Sequence, residues 1–255
     1  MTSINLGQLD WIIVATIFAT FFAAGAVKGV VGVGLPMISV PIITSITGSP
    51  TLAIALASVP ILLSNGWQAV QGGHHMECVR RFWPLLLALI GGTALGVQVL
   101  VSIDPRIVAR ILGIILVAFI AVQFFPSSLR IPASAERGIS IGIGIVAGIL
   151  GGLSSLFGPL LVMLMVALRL PKDLFVSAVA LLFFTGMVPL FLGLVAHGIL
   201  GTDELIASVA SALPVLAGLA LGRSVRNRIS QTTFEKVLYA VLVLIGLNLI
   251  RRSFL

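Results

Sequence analysis

Of the chain's 255 residues, 59% are hydrophobic and 9% charged, at a mean hydropathy of +1.21; a soluble domain so composed would present one continuous apolar patch to water, so that class is excluded. What remains is an all-α polytopic membrane protein, with room for about eight to ten membrane segments of about 20 residues and none for a separate soluble domain. The formal net charge of +7 comes from bases scattered over short loops, which reads as the positive-inside signature and not as a nucleic-acid face.

The N-terminus, MTSINLGQLDW, has no basic stretch and no cleavage signal before its apolar run, so it is expected to lead into a retained first helix. Apolar segments then fall at about 11–28, 36–47, 51–71, 82–101, 107–125, 138–152, 158–169, 174–197, 204–222 and 234–250. Turn or charge signals separate them at 47–50, 72–81, 102–106, 126–137, 171–173, 198–204 and 223–233. The segments 36–47 and 158–169 are too short to span a core of about 30 Å at a rise of about 1.5 Å per residue, and they read as half-helices or re-entrant arms.

The first of these arms follows an unusual stretch, AAGAVKGVVGVGLPMISVP at Ala23–Pro41. Gly29, Gly32, Gly34 and Pro36 are hard to hold in one helix, where glycine costs about 1 kcal/mol and proline about 3. A break at membrane depth frees backbone groups that lipid cannot satisfy, so protein or a watery cavity must cover it. Lys28 beside the break is an intramembrane charge and marks a functional site by default.

The stretch has a second copy. Ala24-Gly25, Gly29 and Pro36 recur as Ala147-Gly148, Gly152 and Pro159. Gly92, Ala94, Leu95 and Gly96 recur as Gly218, Ala220, Leu221 and Gly222, and Leu62 and Gly66 recur as Leu182 and Gly186. The chain therefore divides into two repeat halves, residues 1–125 and 126–255, within one membrane domain. Each half would be a broken or re-entrant helical hairpin followed by three transmembrane helices. Counterpart loops differ in charge, as they should if the halves are inverted. In that arrangement Arg80, Arg81, Arg130, Arg137, Arg169, Lys172, Arg223, Arg226, Arg228 and Lys236 face the cytoplasm, while Arg106, Arg110, Arg251 and Arg252 face out. A parallel arrangement splits the bases almost evenly, so the positive-inside rule favours inversion. Arg251 and Arg252 count against it.

Inverted halves with interrupted helices in matching positions point to a secondary transporter whose site lies at the breaks. The arms starting near Pro36 and Pro159 would present helix N-termini, with free N–H groups and positive dipole ends. Lys28 adds a charge, and Ser154 and Ser155 add hydroxyls in the second copy. The position aligned with Lys28 is Gly151, so the chemistry is lopsided: the first half would hold an anion's charge and the serines its oxygens. Lys28 could also snorkel to the head groups, but the adjoining glycines favour the site. Gly32, Gly34 and Gly158 with Gly29 and Gly152 are read as break residues, whereas Gly92, Gly96, Gly218 and Gly222 are read as packing residues. Asn65 and Gln68, with Thr185 as the approximate counterpart of Asn65, either line the pathway or tie helices together.

The runs KGVVGVGLPMISVP and GILGGLSSLFGPLLVMLMVALRLPKD, set in this two-half layout, resemble the TauE/SafE family of membrane permeases over nearly the whole chain. The resemblance implies export of a small sulfur-containing anion, such as sulfite or an organosulfonate, across the bacterial inner membrane. Members with a denser glycine triplet before the proline differ from Gly32-Val33-Gly34-Leu35-Pro36 and Ser154-Ser155-Leu156-Phe157-Gly158-Pro159 here, which leaves the substrate open.

The remaining polar residues carry weaker readings. His74, His75, Glu77 and Cys78 have poor metal-ligand spacing and read as a solvated loop. His197 sits at a helix end, where an interfacial role outweighs a proton relay. Asp10, Asp104, Asp173, Asp203 and Glu204 all lie at segment ends, so no buried acid offers itself for proton coupling. A single cysteine excludes an intrachain disulfide, no cofactor is implied, and faces of small residues leave room for a homodimer. Two other functions compete: an intramembrane serine hydrolase using Ser154 or Ser155 with His197, and a passive anion channel.

Overall fold

The computed structural model describes residues 10–71, 73–123, 131–225 and 231–253, all helices and connections with no strand among them. The helices are α1 (Trp11–Val31), α2 (Leu35–Thr47), α3 (Pro50–Gln71), α4 (His75–Ser102), α5 (Pro105–Gln123), α6 (Ala133–Ser154), α7 (Gly158–Ala167), α8 (Lys172–Ala196), α9 (Thr202–Val225) and α10 (Gln231–Arg252). Among the described residues six helices, α1, α3, α4, α6, α8 and α9, are long and apolar enough to cross a membrane. The short arms are α2 with 13 residues and α7 with 10, about 20 and 15 Å long at the helical rise.

One expected loop is mostly helix. The stretch 72–81 reads as a connection in the sequence, yet α4 begins at His75 and carries Arg80 and Arg81. Between His75 and Arg81 there is no glycine or proline to stop a helix, and Glu77 occupies the first turn, where the helix dipole favours a carboxylate. Similarly α1 runs past Lys28 to Val31. Of the bases used to orient the halves, Arg130, Arg226 and Arg228 lie outside the described residues, as do the side chains of Lys172 and Lys236.

Two glycine seams dominate the packing. On α1 and α9, Gly25 and Gly29 face Val215, Leu219 and Gly222, while Gly218 and Gly222 face the backbones of Phe22 and Ala26. On α4 and α6, Gly92 and Gly96 face Ile145 and Ile149, while Gly148 and Gly152 face Leu89 and Thr93. In both seams residue numbers rise together along the two helices, so each pair is parallel. A Cβ at Gly29 would stand 2.5 Å from the Leu219 carbonyl oxygen, and one at Gly148 would stand 2.6 Å from that of Leu89. Backbones this close gain the dispersion contacts that hold helices together in lipid, where no hydrophobic force acts between them. The glycine faces that left room for a homodimer are used within the chain.

The larger of the remaining contacts are reciprocal, whereas that between α2 and α10 has no counterpart of its size between α7 and α5 among the described residues. α3 packs on α8 and α9, α8 packs on α4, and α5 packs on α10. Exchanging α1–α5 for α6–α10 turns the α1–α9 pair into α6–α4 and the α3–α9 pair into α8–α4, and leaves α3–α8 and α5–α10 unchanged.

A proline inside a membrane helix frees the carbonyl one turn back. Pro60 in α3 frees Leu56, and the Ser208 hydroxyl of α9 donates to that oxygen at 2.9 Å. The same Ser208 oxygen accepts the Val59 N–H at 3.1 Å. Neighbouring helices thus satisfy what the proline leaves open, as lipid cannot. Arg252 of α10 donates to the Ser45 carbonyl in the last turn of α2 at 2.8 Å, so the free end of the short arm is tied to the second half.

Candidate functional site

The break between α1 and α2 is made by two glycines. Gly32 has φ +91° and its N–H closes α1 on the Lys28 carbonyl, while Gly34 has φ +110° and precedes α2. L side chains rarely adopt either conformation. At both positions the space for a Cβ is open, the nearest atom to Gly34 being Val27 Cγ1 at 3.9 Å. Gly34→Ala is therefore expected to act through backbone strain alone, costing about 1–3 kcal/mol, and a thermal melt of the purified variant reads the loss. Pro36 lies in the first turn of α2, where no side chain caps the helix start, so its positive end is unopposed.

Lys28 lies one turn before this break, only 4% exposed. Its ammonium donates to Ser64 Oγ at 3.0 Å and to Asn65 Oδ1 at 2.5 Å, both on α3. One turn further along α3, Gln68 Nε2 donates to the Gly32 carbonyl at 3.4 Å. The structure thus gathers Lys28, Gly32, Asn65 and Gln68 and adds Ser64, which sequence reasoning missed. Its spacing beside Asn65 carried no signal, because serine is common in membrane helices as a packing residue. Among the described residues no carboxylate pairs with Lys28. The charge that bears on it is another cation, Arg223 at the end of α9. Gly29 is not part of the break; it lies inside α1, in the seam with α9.

The second break is built differently. Ser154 ends α6, with its hydroxyl donating to the Leu150 carbonyl at 2.6 Å and accepting the Leu156 N–H at 3.2 Å. Ser155 is fully buried at φ +64°, and its hydroxyl faces Met187 Sδ at 3.8 Å. Gly158 and Pro159 open α7, again without a side-chain cap. Gly152, like Gly29, belongs to a seam and not to the break. Thr185 is half-buried on α8. The partners of Lys28 all come from the first half and that of Ser155 from the second, so no hydrogen bond among the described residues joins the two breaks.

What fills the second break is Phe157. Its buried ring lies over Gly151, the position matching Lys28, and over Gly186, where a Cβ would meet Phe157 Cε1 at 2.7 Å. Where the first half has Lys28, Ser64 and Asn65, the second has Gly151, Phe184 and Thr185. The two breaks therefore differ: the first holds a buried lysine with its α3 partners, and the second holds the Phe157 ring beside Ser154 and Ser155.

The family model for the sulfite exporter TauE/SafE matches residues 17–249, nearly the whole chain. The chain belongs to the TauE/SafE family. No curated protein and no solved structure gives a match. TauE/SafE proteins are membrane transporters of sulfur-containing anions and not enzymes, which agrees with a multi-pass helical protein carrying a buried cation. It also disposes of the hydrolase reading, as does geometry. His197 bonds its own helix through Nδ1 and the Gly193 carbonyl at 2.9 Å, and Ser154 is spent on α6, so neither serine has the histidine as a base. His74 pairs with Glu77 at 3.2 Å and Cys78 is buried against the Leu174 carbonyl, an arrangement that serves the start of α4 in this TauE/SafE chain.

Proposed function

We propose that this TauE/SafE protein is a secondary transporter of a small sulfur-containing anion, sulfite or an organosulfonate, across the bacterial inner membrane, with the anion bound at the first helix break. The observation that carries the reading is the buried Lys28 ammonium, which has no carboxylate partner among the described residues. A charged side chain at the centre of a membrane helix costs about 2.5–3.5 kcal/mol, and Ser64 and Asn65 offset part of that. An anion arriving beside the ammonium would supply the missing counter-charge, and the uncapped start of α2 would add a favourable dipole. Asn65 and Gln68 would then orient the anion's oxygens. Ser155, which caps α6, Gly158, which opens α7, and Thr185 of α8 would shape the second break, where the Phe157 ring lies.

The reciprocal helix pairing supports two inverted halves. α1 and α9 run parallel to each other, as do α4 and α6; with counterpart helices running in opposite directions the two halves would be inverted. Such architectures move one half against the other around a central site, and α2, tied by Arg252 to α10, is the arm best placed to respond to the partner half.

The test is anion flux in proteoliposomes with sulfite, sulfoacetate, thiosulfate and sulfate, with and without a pH gradient. Saturable flux of a sulfur-containing anion that responds to a gradient is expected. Unsaturable flux would make the protein a passive channel, and no flux of any of the four would remove the anion reading.

A further inference from the structure

A candidate anion site lies far from the break in sequence, between the starts of α4 and α6. A pocket of about 200 Å3 opens there, lined by Arg81, Phe82, Trp83, Glu136, Arg137 and Ser140, among others. Three features of it bear on a ligand. Arg81 donates through Nε and Nη2 to Glu136 at 2.9 and 3.0 Å, which leaves the remaining N–H groups of its guanidinium uncommitted. Arg137 lies over the Trp83 ring, 5.2 Å from its centroid, a contact that holds the guanidinium flat while its edges stay available. Ser140 is only 4% exposed, and among the described residues its hydroxyl has no hydrogen-bond partner. An orphaned buried hydroxyl costs about 1–3 kcal/mol, so a ligand oxygen in the pocket would relieve it.

The charge balance is two guanidiniums against one carboxylate, which selects an anion. The surroundings select its source. Trp83 is half exposed, as aromatic residues are at the membrane interface. Exposed Leu87 and Ile90 continue along α4 from the pocket, and exposed Ile139 does so on α6. A free phosphate would gain nothing from these residues, whereas acyl chains would lie against them. We propose that this pocket binds the phosphate of an anionic phospholipid, with Arg137, Ser140 and the free edge of Arg81 as its donors. The lipid would bridge α4 and α6 at the end of their glycine seam, a role independent of whether Lys28 binds substrate.

Native mass spectrometry of the purified full-length protein tests this with phosphatidylglycerol, phosphatidylcholine and inorganic phosphate as probes. Wild type is expected to retain phosphatidylglycerol over phosphatidylcholine, and millimolar inorganic phosphate is expected to leave the adduct in place. Arg137→Gln should lower retention about fivefold, the worth of one interfacial cation. Ser140→Ala, which removes only the hydroxyl and no charge, should lower it while the protein stays monodisperse. Arg80→Gln removes a charge from the neighbouring residue without touching the pocket, and should bind like wild type. Equal loss in Arg80→Gln and Arg137→Gln would overturn the site in favour of general surface attraction. Displacement by inorganic phosphate would overturn the lipid as its occupant.

Discussion

Lys28→Met is expected to lower sulfite flux in proteoliposomes by roughly 10- to 100-fold while leaving the protein folded. Hydrogen bonds to a charged group are worth about 1.5–3 kcal/mol, and the Lys28 ammonium is the charge that would meet the anion at the first break. Folding should not suffer in proportion. Removing a buried charge that has no counter-ion among the described residues removes its desolvation penalty together with its two hydrogen bonds to Ser64 and Asn65, and methionine fills the space of the lysine stem. Lys28→Arg should not restore flux, because a planar guanidinium cannot take the place of a compact ammonium fitted between two α3 side chains. Asn65→Leu separates the roles: it keeps the charge but strips its nearest partner, so it should lower flux less than Lys28→Met and lower stability more. A Lys28→Met protein that transports within about twofold of wild type would leave the anion without its charge partner and sink the site.

The parts of this site that sequence disclosed are those with a cost attached. A lysine in an apolar run, and glycines and a proline where a helix should continue, are each unfavourable in lipid, so each advertises a reason for being there. Ser64 carried no such cost and stayed invisible. Phe157 was equally silent, since an aromatic residue in a membrane protein needs no excuse; only the fold brings its ring to Gly151 and Gly186. Glycine itself was ambiguous. Gly29 and Gly152 sit close to breaks in sequence and recur at matching positions, so they were counted with Gly32 and Gly34. Yet Gly25 with Gly29 and Gly148 with Gly152 have the same four-residue spacing as Gly92 with Gly96. The spacing marks packing faces on α4 and α9 in the sequence, but that α1 and α6 carry the facing glycines, and which helix meets which, is a long-range matter that one sequence does not record. The same holds for Ser208, whose task at Pro60 spans the two halves.

The seams lead to the other large effect, which two adjacent glycines of α4 can show. A Cβ at Gly91 meets nothing within 4 Å, whereas one at Gly92 runs into the Ile145 carbonyl and stands 3.1 Å from its Cα. Gly91→Ala is therefore expected to be neutral or to stabilise by up to about 1 kcal/mol through helix propensity. Gly92→Ala gains the same propensity but must push α6 away, and overpacking costs about 1–3 kcal/mol even where side chains can yield. Here the obstacle is backbone, so the cost should lie at or above the top of that range, against a total stability of about 5–15 kcal/mol. Thermal melting of the two variants in one detergent reads the difference; equal midpoints would mean that the α4–α6 seam is not closed as described. Gly29→Ala tests the equivalent seam where it meets the site. A Cβ there stands 2.5 Å from the Leu219 carbonyl and 2.8 Å from the Gly222 Cα, so α1 must shift off α9. Lys28 is the neighbouring residue, and its reach to Asn65 is set by where α1 lies. Gly29→Ala should therefore weaken substrate binding as well as folding, and Gly92→Ala, in the seam remote from Lys28, should weaken folding alone. The Km for sulfite separates them: a rise confined to Gly29→Ala places the binding site at α1, and equal rises would detach the seams from it.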